Sequence, residues 1–342
     1  MRIIRILLWP TSLIYGILTY LRNKCYDIGI FQVFIIPKKS ICVGNLSTGG
    51  TGKTPQVAYL AKLLEGAIST SILSRGYGRT TKGFILVNDS HKSDEVGDEP
   101  LFYHSLFKSK LNITVCEKRK IGVQQIQTLF PENELIILDD AFQHRAVKAG
   151  FNILLTDFTS PFSNDVMLPT GNLREWKSGR KRADCVVVTK CTNDLSQHEK
   201  KKWAADLKID LEKLFFSSIS YDEIVPFGKV IENPKSTLLI TGIANPLPLV
   251  DYIKDLFQIE HLKFADHHAF NAQDIQEIHQ KFDTFAVENK IILTTEKDYM
   301  RLKDLIPKNE LIKYPWYYLP IAVKMDEEEK FNDLINQYVR KV

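Results

Sequence analysis

The sequence has 342 residues, more than one hydrophobic core usually holds, so we expect two domains. Hydrophobic residues make up 44% and charged residues 25%, as in ordinary globular proteins, and a net charge of +4 is too small to indicate nucleic-acid binding. The five cysteines show no C-x-x-C spacing and indicate buried thiols in a reducing compartment rather than a metal site.

The N-terminal segment is almost wholly apolar. Within residues 3–21, only Arg5, Pro10 and small hydroxyl side chains interrupt the aliphatic and aromatic ones, and cations stand at both ends. No small-residue cleavage site follows, which argues against a removed signal peptide. The run is barely long enough for a bilayer core of about 30 Å, and Arg5 and Pro10 weaken a spanning helix. We predict a helix lying in or dipping into one leaflet, with a spanning helix and a buried core helix as alternatives.

A glycine-rich loop follows two short strand-like runs at residues 31–36 and 40–43, and a helix-like run at 55–64 follows the loop. Its glycines let backbone N–H groups turn around phosphates, Lys53 adds a charge, and Thr54 offers a hydroxyl to Mg²⁺. The strict phosphate-loop pattern has glycine where this chain has Ser47. The predicted phosphate contacts are Gly49, Gly50, Thr51, Gly52, Lys53, Thr54 and Pro55.

Further strand-like runs alternate with helical stretches as far as residue 188, a pattern that predicts a P-loop NTPase-like, doubly wound and mostly parallel α/β sheet with ligands at the strands' carboxyl ends. A new strand and helix series begins after residues 226–234 and predicts a second, smaller α/β domain. We therefore expect an N-terminal membrane helix, a P-loop domain and a smaller C-terminal domain at residues 1–28, 29–228 and 229–342. The predicted strands are 69–73, 84–87, 113–116, 134–138, 152–155, 185–188 and 236–241.

An apolar strand at residues 134–138 ends in two carboxylates, Asp139 and Asp140. Such a strand can bring an acidic group to Mg²⁺ or its waters beside a phosphate loop. A strand that merely ends in an Asp-rich turn is the alternative, but the upstream Lys53-Thr54 pair favours the metal site.

Several short blocks, in this order along the chain, make the sequence resemble the tetraacyldisaccharide 4'-kinase family. Each block is weak alone, but the ordered set is specific and spans residues 44–298. Ala141, Thr170 and Trp176 depart from residues frequent in that family. The blocks are Gly44-Asn45-Leu46, the phosphate loop, Ser74-Arg75-Gly76-Tyr77-Gly78-Arg79, Gly97-Asp98-Glu99-Pro100, Asp139-Asp140-Ala141-Phe142-Gln143-His144, Leu168-Pro169-Thr170-Gly171-Asn172-Leu173-Arg174-Glu175, Thr241-Gly242-Ile243-Ala244-Asn245-Pro246, Asp266-His267-His268 and Thr294-Thr295-Glu296-Lys297-Asp298.

The resemblance implies a kinase that transfers the γ-phosphoryl group of ATP, with Mg²⁺, to the 4'-hydroxyl of a tetraacyldisaccharide 1-phosphate in lipid A biosynthesis. It further implies work at the cytoplasmic face of the inner membrane of a Gram-negative-type bacterium, with a lipid substrate and the membrane surface as partners and without nucleic acid or an obligate protein partner. A lipid acceptor would explain the apolar N-terminus.

The resemblance also implies roles for individual residues. Asp98 would be the base that accepts the hydroxyl proton, assisted by His267, although in isolation a helix cap is the favoured interpretation of Asp98. His268 would lie behind that pair, and Lys53 would be catalytic as well as phosphate-binding. Metal ligands would be Thr54, Asp139, Asp140 and Glu175. Substrate contacts would come from Asn45, Arg75, Arg79, Gln143, His144 and Arg174; for His144, packing of the loop is an equal alternative.

Two other classes also use a phosphate loop: a GTP-hydrolysing switch and a membrane-associated ATPase that positions other proteins. Residues 188–192 begin like a guanine-reading strand end, but Thr192 stands where an aspartate is required. The positioning ATPase would need dimer-sensing elements that we do not identify in the sequence, and it does not account for the Asp98 and His267 blocks. We therefore keep a membrane-associated ATPase or GTPase switch as the alternative function.

Overall fold

The protein, for which we use a computed structural model, is described over residues 7–192, 194–266 and 268–340. Its helices are α1 (Trp9–Asp27), α2 (Lys53–Leu64), α3 (Ser93–Val96), α4 (Asp98–Phe107), α5 (Arg119–Leu129), α6 (Gln197–Leu207), α7 (Leu247–Lys254), α8 (Ala272–Thr284), α9 (Glu296–Leu302), α10 (Lys308–Lys313) and α11 (Glu328–Arg340). Its strands are β1 (Phe34–Ile35), β2 (Lys39–Asn45), β3 (Thr70–Ser74), β4 (Ile85–Leu86), β5 (Asn112–Val115), β6 (Leu135–Asp139), β7 (Val147–Lys148), β8 (Phe151–Asp157), β9 (Cys185–Thr189), β10 (Leu214–Tyr221), β11 (Val225–Pro226), β12 (Ser236–Thr241), β13 (Gln258–Lys263), β14 (Lys290–Thr295), β15 (Trp316–Leu319) and β16 (Ile321–Met325).

The larger sheet has the strand order β16-β10-β9-β8-β2-β6-β3-β5-β4. Strands from β10 to β5 in this order pair in parallel, and β4 is antiparallel to β5. The chain builds the β3 side first and then crosses to the other side of β2 when it enters β8. The carboxyl ends of β2, β6 and β8 therefore meet at the point where the strand order reverses, which is where doubly wound sheets bind ligands.

The central strands are buried on both faces, as expected for parallel strands covered by helices. Ile41 and Val43 of β2 pack in one core cluster with Val57 of α2. Cys42, between them, packs in a second cluster with Leu138 of β6. Because both faces of each strand are covered, these strands appear in the sequence as continuous apolar runs, and such runs predicted them.

A smaller compact unit spans Tyr221–Ala322. Its sheet has the order β11-β15-β14-β12-β13, with β12 parallel to both β13 and β14. Asn271 caps α8, and its side chain accepts hydrogen bonds from the backbone of Gln273 and Asp274 at 2.8 and 3.2 Å. This unit is therefore an α/β layer with its own hydrophobic core.

The C-terminal boundary differs from the predicted one. The sequence analysis placed residues 229–342 in the smaller domain, whereas residues from 323 onward belong to the larger compact unit. Strand β16 lies beside β10 in the larger sheet. Phe331 and Ile335 of α11 are buried in the core cluster that contains Phe215. An apolar stripe on a terminal helix does not say which core it joins, so the sequence could not predict this return.

Helix α1 contacts the larger unit with a face of small residues. Ser12, Gly16 and Thr19 are buried, whereas much of the remaining surface is apolar and exposed. A Cβ atom on Gly16 would stand 2.8 Å from the ring of Trp176, so only glycine allows this close approach. Within the described ranges, no helix is both long and apolar enough to cross a bilayer.

Candidate active site

The phosphate loop connects β2 to α2. Gly49 and Gly52 have φ values of 108° and 78°, in the region that favours glycine. Lys53, Thr54 and Pro55 form the first turn of α2, where backbone N–H groups lack helical acceptors. The loop and the helix terminus together form the kind of site that binds anions.

Side chains from three strand ends support this loop. Asn45 donates from Nδ2 to the Thr51 hydroxyl at 2.7 Å, and the Thr189 hydroxyl donates to the Thr51 carbonyl at 3.0 Å. Lys190 donates to a backbone carbonyl of the same loop and pairs with Asp157 at 2.8 Å. Sequence analysis missed Thr189, Lys190 and Asp157 as supports. Their positions after the predicted strands 152–155 and 185–188 were the available signal, because parallel strands meet at their carboxyl ends.

Asp139 and Asp140 stand beside the loop in different environments. Asp139 is buried, and it accepts a hydrogen bond from the Ser74 hydroxyl at 3.1 Å; burial, followed by the charge of Asp140, raises its pKa to about 6. Burial alone would also raise the pKa of Asp140, but Lys53 and Arg174 hold it below its ordinary value. Lys53 Nζ lies 3.9 Å from Asp140, and Arg174 donates two hydrogen bonds to it at 2.8 and 3.2 Å.

Arg174 and Asn45 act on each other as well as on the loop. The Arg174 guanidinium donates to the side-chain oxygen of Asn45 and to its carbonyl. Asn45 is fully buried, so its side chain presents no surface to a substrate. The predicted substrate contact by Asn45 is therefore not supported, and its observed contacts keep the loop next to Arg174.

Arg75 and Arg79 lie in the loop after β3 but in different surroundings. Arg75 is exposed. Arg79 has a side chain only 4% exposed, pairs with Glu117 at 2.5 Å and donates to the carbonyl of Gly83 at 2.7 Å. A guanidinium committed to these partners holds its own loop, so the structure does not support the predicted contact of Arg79 with substrate.

Asp98 begins α4, and its carboxylate accepts a hydrogen bond from the Ser93 hydroxyl. The preceding Gly97 has a φ of 94°, and a Cβ there would lie 3.0 Å from the Tyr77 carbonyl, so glycine is required. His267, the predicted assistant of Asp98, lies outside the described residues. His268 pairs within the smaller unit with the Asp274 carboxylate at 2.9 Å.

Glu175 is buried, and both of its oxygens accept hydrogen bonds. Oε1 accepts from Gln143 at 2.9 Å and from Arg182 at 2.7 Å, and Oε2 accepts from Asn23 of α1 at 2.9 Å. Gln143 also donates to the Asn45 carbonyl at 2.7 Å. The Glu175 side chain is only 3% exposed, whereas that of Asp140 is 35% exposed. The predicted metal ligation by Glu175 is therefore not supported, and Gln143 faces protein groups rather than open solvent.

Arg119 is a buried arginine that the sequence analysis did not single out. It donates to the carbonyls of Cys116 and Asp139 at 2.6 and 2.9 Å, and burial lowers its pKa to about 10. Burial, and then the charge of Arg119, lowers the pKa of His144 to about 4. An arginine between two lysines is typical of a solvated surface, so its sequence context concealed this role.

Tyr103 is a second missed residue. It is fully buried in α4 beside Asp139 and Thr54, and burial, followed by the charge of Asp139, raises its pKa well above the ordinary value. An aromatic residue at helical spacing usually belongs to a core. Glu99 lies four residues earlier on the same helix face, and this acidic neighbour could have indicated that the face is not purely apolar.

A groove of about 810 Å³ lies between α1 and the loop that carries Arg174. Its walls are mostly apolar, and its polar groups are few. It is lined by Trp9, Ser12, Leu13, Ile17, Tyr20, Asp165, Val166, Met167, Thr170, Leu173, Trp176, Lys177 and Ser178.

A family model described as Tetraacyldisaccharide-1-P 4'-kinase matches residues 4–340. The chain belongs to this family. It is similar to the tetraacyldisaccharide 4'-kinase of Flavobacterium psychrophilum, with 40% identity over 99% of this chain and 98% of that protein. The tetraacyldisaccharide 4'-kinase of Bacteroides thetaiotaomicron is also 40% identical, over 98% of this chain and 93% of its own length. Among solved structures, LpxK from Aquifex aeolicus in complex with ATP is similar, with a TM-score of 0.75, 28% identity and coverage of 98% of this chain and 99% of that one.

These similarities confirm the predicted family, the doubly wound fold and the kinase class. The prediction of ATP as cofactor is confirmed with them, since the solved family member holds ATP. The alternative of a membrane-associated ATPase or GTPase switch is not supported. The residues that suggested a guanine-reading strand end, Thr189 and Lys190, instead contact the phosphate loop.

Proposed function

We propose that this protein transfers the γ-phosphoryl group of ATP to the 4'-hydroxyl of a tetraacyldisaccharide 1-phosphate, a step in lipid A biosynthesis, at the carboxyl edge of its larger sheet. The observation that carries the proposal is the approach of Lys53, at the start of α2, to Asp140 at the end of β6. The chain belongs to a family of lipid 4'-kinases, so we infer that phosphoryl transfer takes place where the phosphate loop faces this carboxylate.

The loop from Gly49 to Pro55 holds the phosphates of ATP. Its backbone N–H groups and the positive end of α2 face negative charge, and Lys53 neutralises charge on the group in transfer. Asn45, Thr189 and Lys190 fix the loop before ATP arrives. The loop therefore loses little freedom on binding ATP, and its donors act from fixed positions.

The oxygen donors of Thr54, Asp139 and Asp140 fit Mg²⁺. Mg²⁺ keeps several waters and usually takes one or two carboxylates along with substrate phosphates. In the part of the chain that the structure describes, no group of three or more His, Cys, Asp or Glu side chains could hold a metal ion without other ligands. When bound, the ion neutralises phosphate charge; Arg119 and Ser74 hold Asp139 in place to receive it.

Asp98 accepts the proton of the 4'-hydroxyl as the oxygen attacks the γ-phosphorus. A bond from that oxygen to phosphorus forms, the bond to the β-phosphate oxygen breaks, and ADP leaves with its electron pair. We keep His267 as the group that assists Asp98, on the basis of the sequence. Ser93 orients the carboxylate by its hydrogen bond.

Cations near the site would receive the acceptor's own phosphate and developing charge. Arg75 is exposed at the end of β3 and is free of the buried pairing that occupies Arg79. Arg174 lies beside Asp140, and His144, with its low pKa, would contact the substrate as a neutral imidazole. We keep Gln143 only as a support for the phosphate loop, through the Asn45 carbonyl.

The acyl chains of the acceptor would lie in the groove of about 810 Å³ beside α1. Trp9, Tyr20 and Leu21 of that helix are more than half exposed, at 62%, 54% and 52%, and extend the apolar surface outward. Such a surface with cations at its ends suits a helix lying in a membrane interface. We place the enzyme at the cytoplasmic face of the inner membrane of a Gram-negative-type bacterium, working without an obligate protein partner.

Acceptor dependence of nucleotide turnover tests this function. ADP release is measured with ATP and Mg²⁺, first alone and then with tetraacyldisaccharide 1-phosphate in mixed micelles. A lipid kinase should release ADP at a rate roughly tenfold higher or more with the acceptor, because the bound acceptor hydroxyl is oriented for transfer and a water molecule is not. Equal release with and without the lipid would favour a hydrolysing switch and overturn the proposal.

A further inference from the structure

Helix α1 has two faces with different partners. The outward face is apolar and exposed, whereas the inward face carries small or hydrogen-bonding side chains. A helix that served only to bind lipid would need no specific hydrogen bonds to the domain. The inward side of α1 nevertheless makes several, most of them with the segment that carries Arg174, residues 165–176. Arg22, Asn23 and Asp27 also form hydrogen bonds with the loop after β6.

Two of these contacts dock α1 against that segment. The Ser12 hydroxyl donates to the Thr170 hydroxyl at 2.8 Å and accepts from its backbone N–H at 3.0 Å. The Trp176 indole N–H donates to the Gly16 carbonyl at 2.7 Å. These hydrogen bonds therefore fix the position of α1 along its axis relative to the segment.

Two others reach the residues next to the phosphate loop. The Tyr15 hydroxyl donates to the carbonyl of Arg174 at 3.0 Å, and Asn23 Nδ2 donates to Glu175 at 2.9 Å. The backbone N–H of Arg174 donates to the carbonyl of Leu46, next to the phosphate loop, at 2.7 Å. Arg174 is thus held between α1 and the start of the phosphate loop.

The guanidinium of Arg174 connects the docked segment to the phosphate site. It bridges Asp140 and Asn45, and Asp140 faces Lys53. Glu175 continues the same support through Gln143, which binds the Asn45 carbonyl. The segment has no helix or extended strand of its own, so its bonds to neighbouring elements fix where Arg174 lies.

We propose that Tyr15 and Asn23 are positioning residues for phosphoryl transfer, through which the N-terminal helix holds Arg174 and Glu175 and so fixes Asp140 opposite Lys53. The helix then has two separable tasks, lipid contact on its outer face and alignment of the phosphate site on its inner face. The inference rests on the proposed function, since it concerns the rate of that transfer. Small displacements of a reacting group are costly, and a shift of about 1 Å can lower a rate by a factor on the order of 100.

The test compares two double variants of α1. Tyr15→Phe with Asn23→Leu removes the two hydrogen bonds to Arg174 and Glu175 and keeps side chains of similar size. Ile14→Ser with Leu18→Ser changes two outer residues that are exposed and do not line the groove. For each protein, kcat at saturating lipid, KM for the lipid and sedimentation with vesicles of anionic phospholipid are measured beside the wild type.

The inner variant should lose on the order of tenfold in kcat, with vesicle binding and lipid KM within about twofold of wild type. The outer variant should show the reverse, a raised lipid KM and weaker sedimentation with kcat retained. An inner variant with wild-type kcat would overturn the proposal, as would a change confined to lipid KM. If the wild type itself does not phosphorylate the lipid, the proposed function fails first, and that outcome is distinguishable.

A double-mutant cycle separates positioning from general loss of structure. Asn23→Leu and Glu175→Gln are made singly and together, with unfolding midpoints recorded for each. If Asn23 acts through Glu175, the combined loss in kcat should be no larger than that of the worse single variant. Losses that multiply, or that follow the unfolding midpoints, would show that Asn23 does not position Glu175.

Discussion

Single residues at the end of β6 show how one strand prepares two carboxylates for different states. Asp139 is buried and has its pKa raised to about 6, whereas cations hold the pKa of Asp140 below its ordinary value. Asp140 is therefore ionised before any metal arrives. A cation bound nearby would favour the ionised form of Asp139, so the charge of Asp139 depends on whether a metal ion is bound.

The pKa of Asp139 leads to a stability prediction for the metal-free protein. The folded state holds the proton with a pKa of about 6, against an ordinary value of 3.8, so the penalty for folding grows as the pH rises between these values and is full above them. Asp139→Asn cannot ionise and should gain stability relative to wild type, by up to about 3 kcal/mol near pH 8 and little near pH 4. Urea unfolding at both pH values, without Mg²⁺ or ATP, measures the difference. A difference independent of pH would refute the shift.

Lys53 is predicted to act on the transferring group. Lys53→Ala should lower kcat by roughly two or more orders of magnitude, because a fixed charge on the phosphates is lost. Lys62→Ala, on an exposed position of the same helix, is the matched control and should be near wild type. Near-normal turnover by folded Lys53→Ala would remove the basis for the phosphate site.

Asp98 can be tested as a base against a purely structural role, since Gly97 and not Asp98 is the N-cap of α4. As a charge in the first turn alone, Asp98→Asn should cost about 1 kcal/mol or less and leave chemistry unchanged, because only its interaction with the helix dipole is lost. As a base, the variant should keep its fold and ATP affinity but lose on the order of 10² to 10⁴ in kcat. Asp94→Asn in the preceding α3 serves as the control. Full activity in Asp98→Asn would end the base assignment.

Residue patterns that are local in sequence predicted their structural positions well. The phosphate loop and the paired carboxylates each follow a short apolar run, and the structure places both at the carboxyl edge of the sheet. The partners of Arg79 and Glu175 could not be predicted in the same way. Glu117 stands 38 residues from Arg79, and Asn23 stands 152 residues from Glu175, so only the fold reveals these pairs.

At the scale of elements, alternating apolar runs and helical stretches were enough to predict a doubly wound, mostly parallel sheet for the larger unit, but not the order of its strands. The predicted strand 236–241 coincides with β12, and the helix-like run 55–64 lies within α2. Strand β16 and helix α11 were assigned to the wrong core because neither pattern indicates a partner. Long-range pairing of a terminal segment is decided by packing, which a single sequence does not display.

Strand ends that support the phosphate loop give a prediction at this scale. Lys190→Met keeps the side-chain length but loses the bond to the loop and the pair with Asp157. We expect KM for ATP to rise several-fold with little change in KM for the lipid, since the loop must then be ordered by ATP itself. Asp157→Asn should act in the same direction. Unchanged ATP affinity in both variants would show that the loop needs no such support.

At the scale of the whole molecule, the larger unit brings an apolar helix, a groove and a phosphate site together on one sheet. The groove lies beside α1, and the segment with Arg174 joins it to the phosphate loop. This arrangement suits an acceptor whose acyl chains stay in a lipid phase while its sugar reaches water. Family membership and site geometry thus lead to one reaction, and its place at a membrane surface is part of our proposal.

Transfer of label from γ-labelled ATP to purified tetraacyldisaccharide 1-phosphate tests that reaction most directly. The lipid is extracted, and the position of the new phosphate is determined by mass spectrometry after cleavage of the disaccharide. We predict one added phosphate per lipid, at the 4'-position of the distal sugar, with transfer abolished in Lys53→Ala. Label that stays in inorganic phosphate, or that enters another position of the lipid, would contradict the central claim.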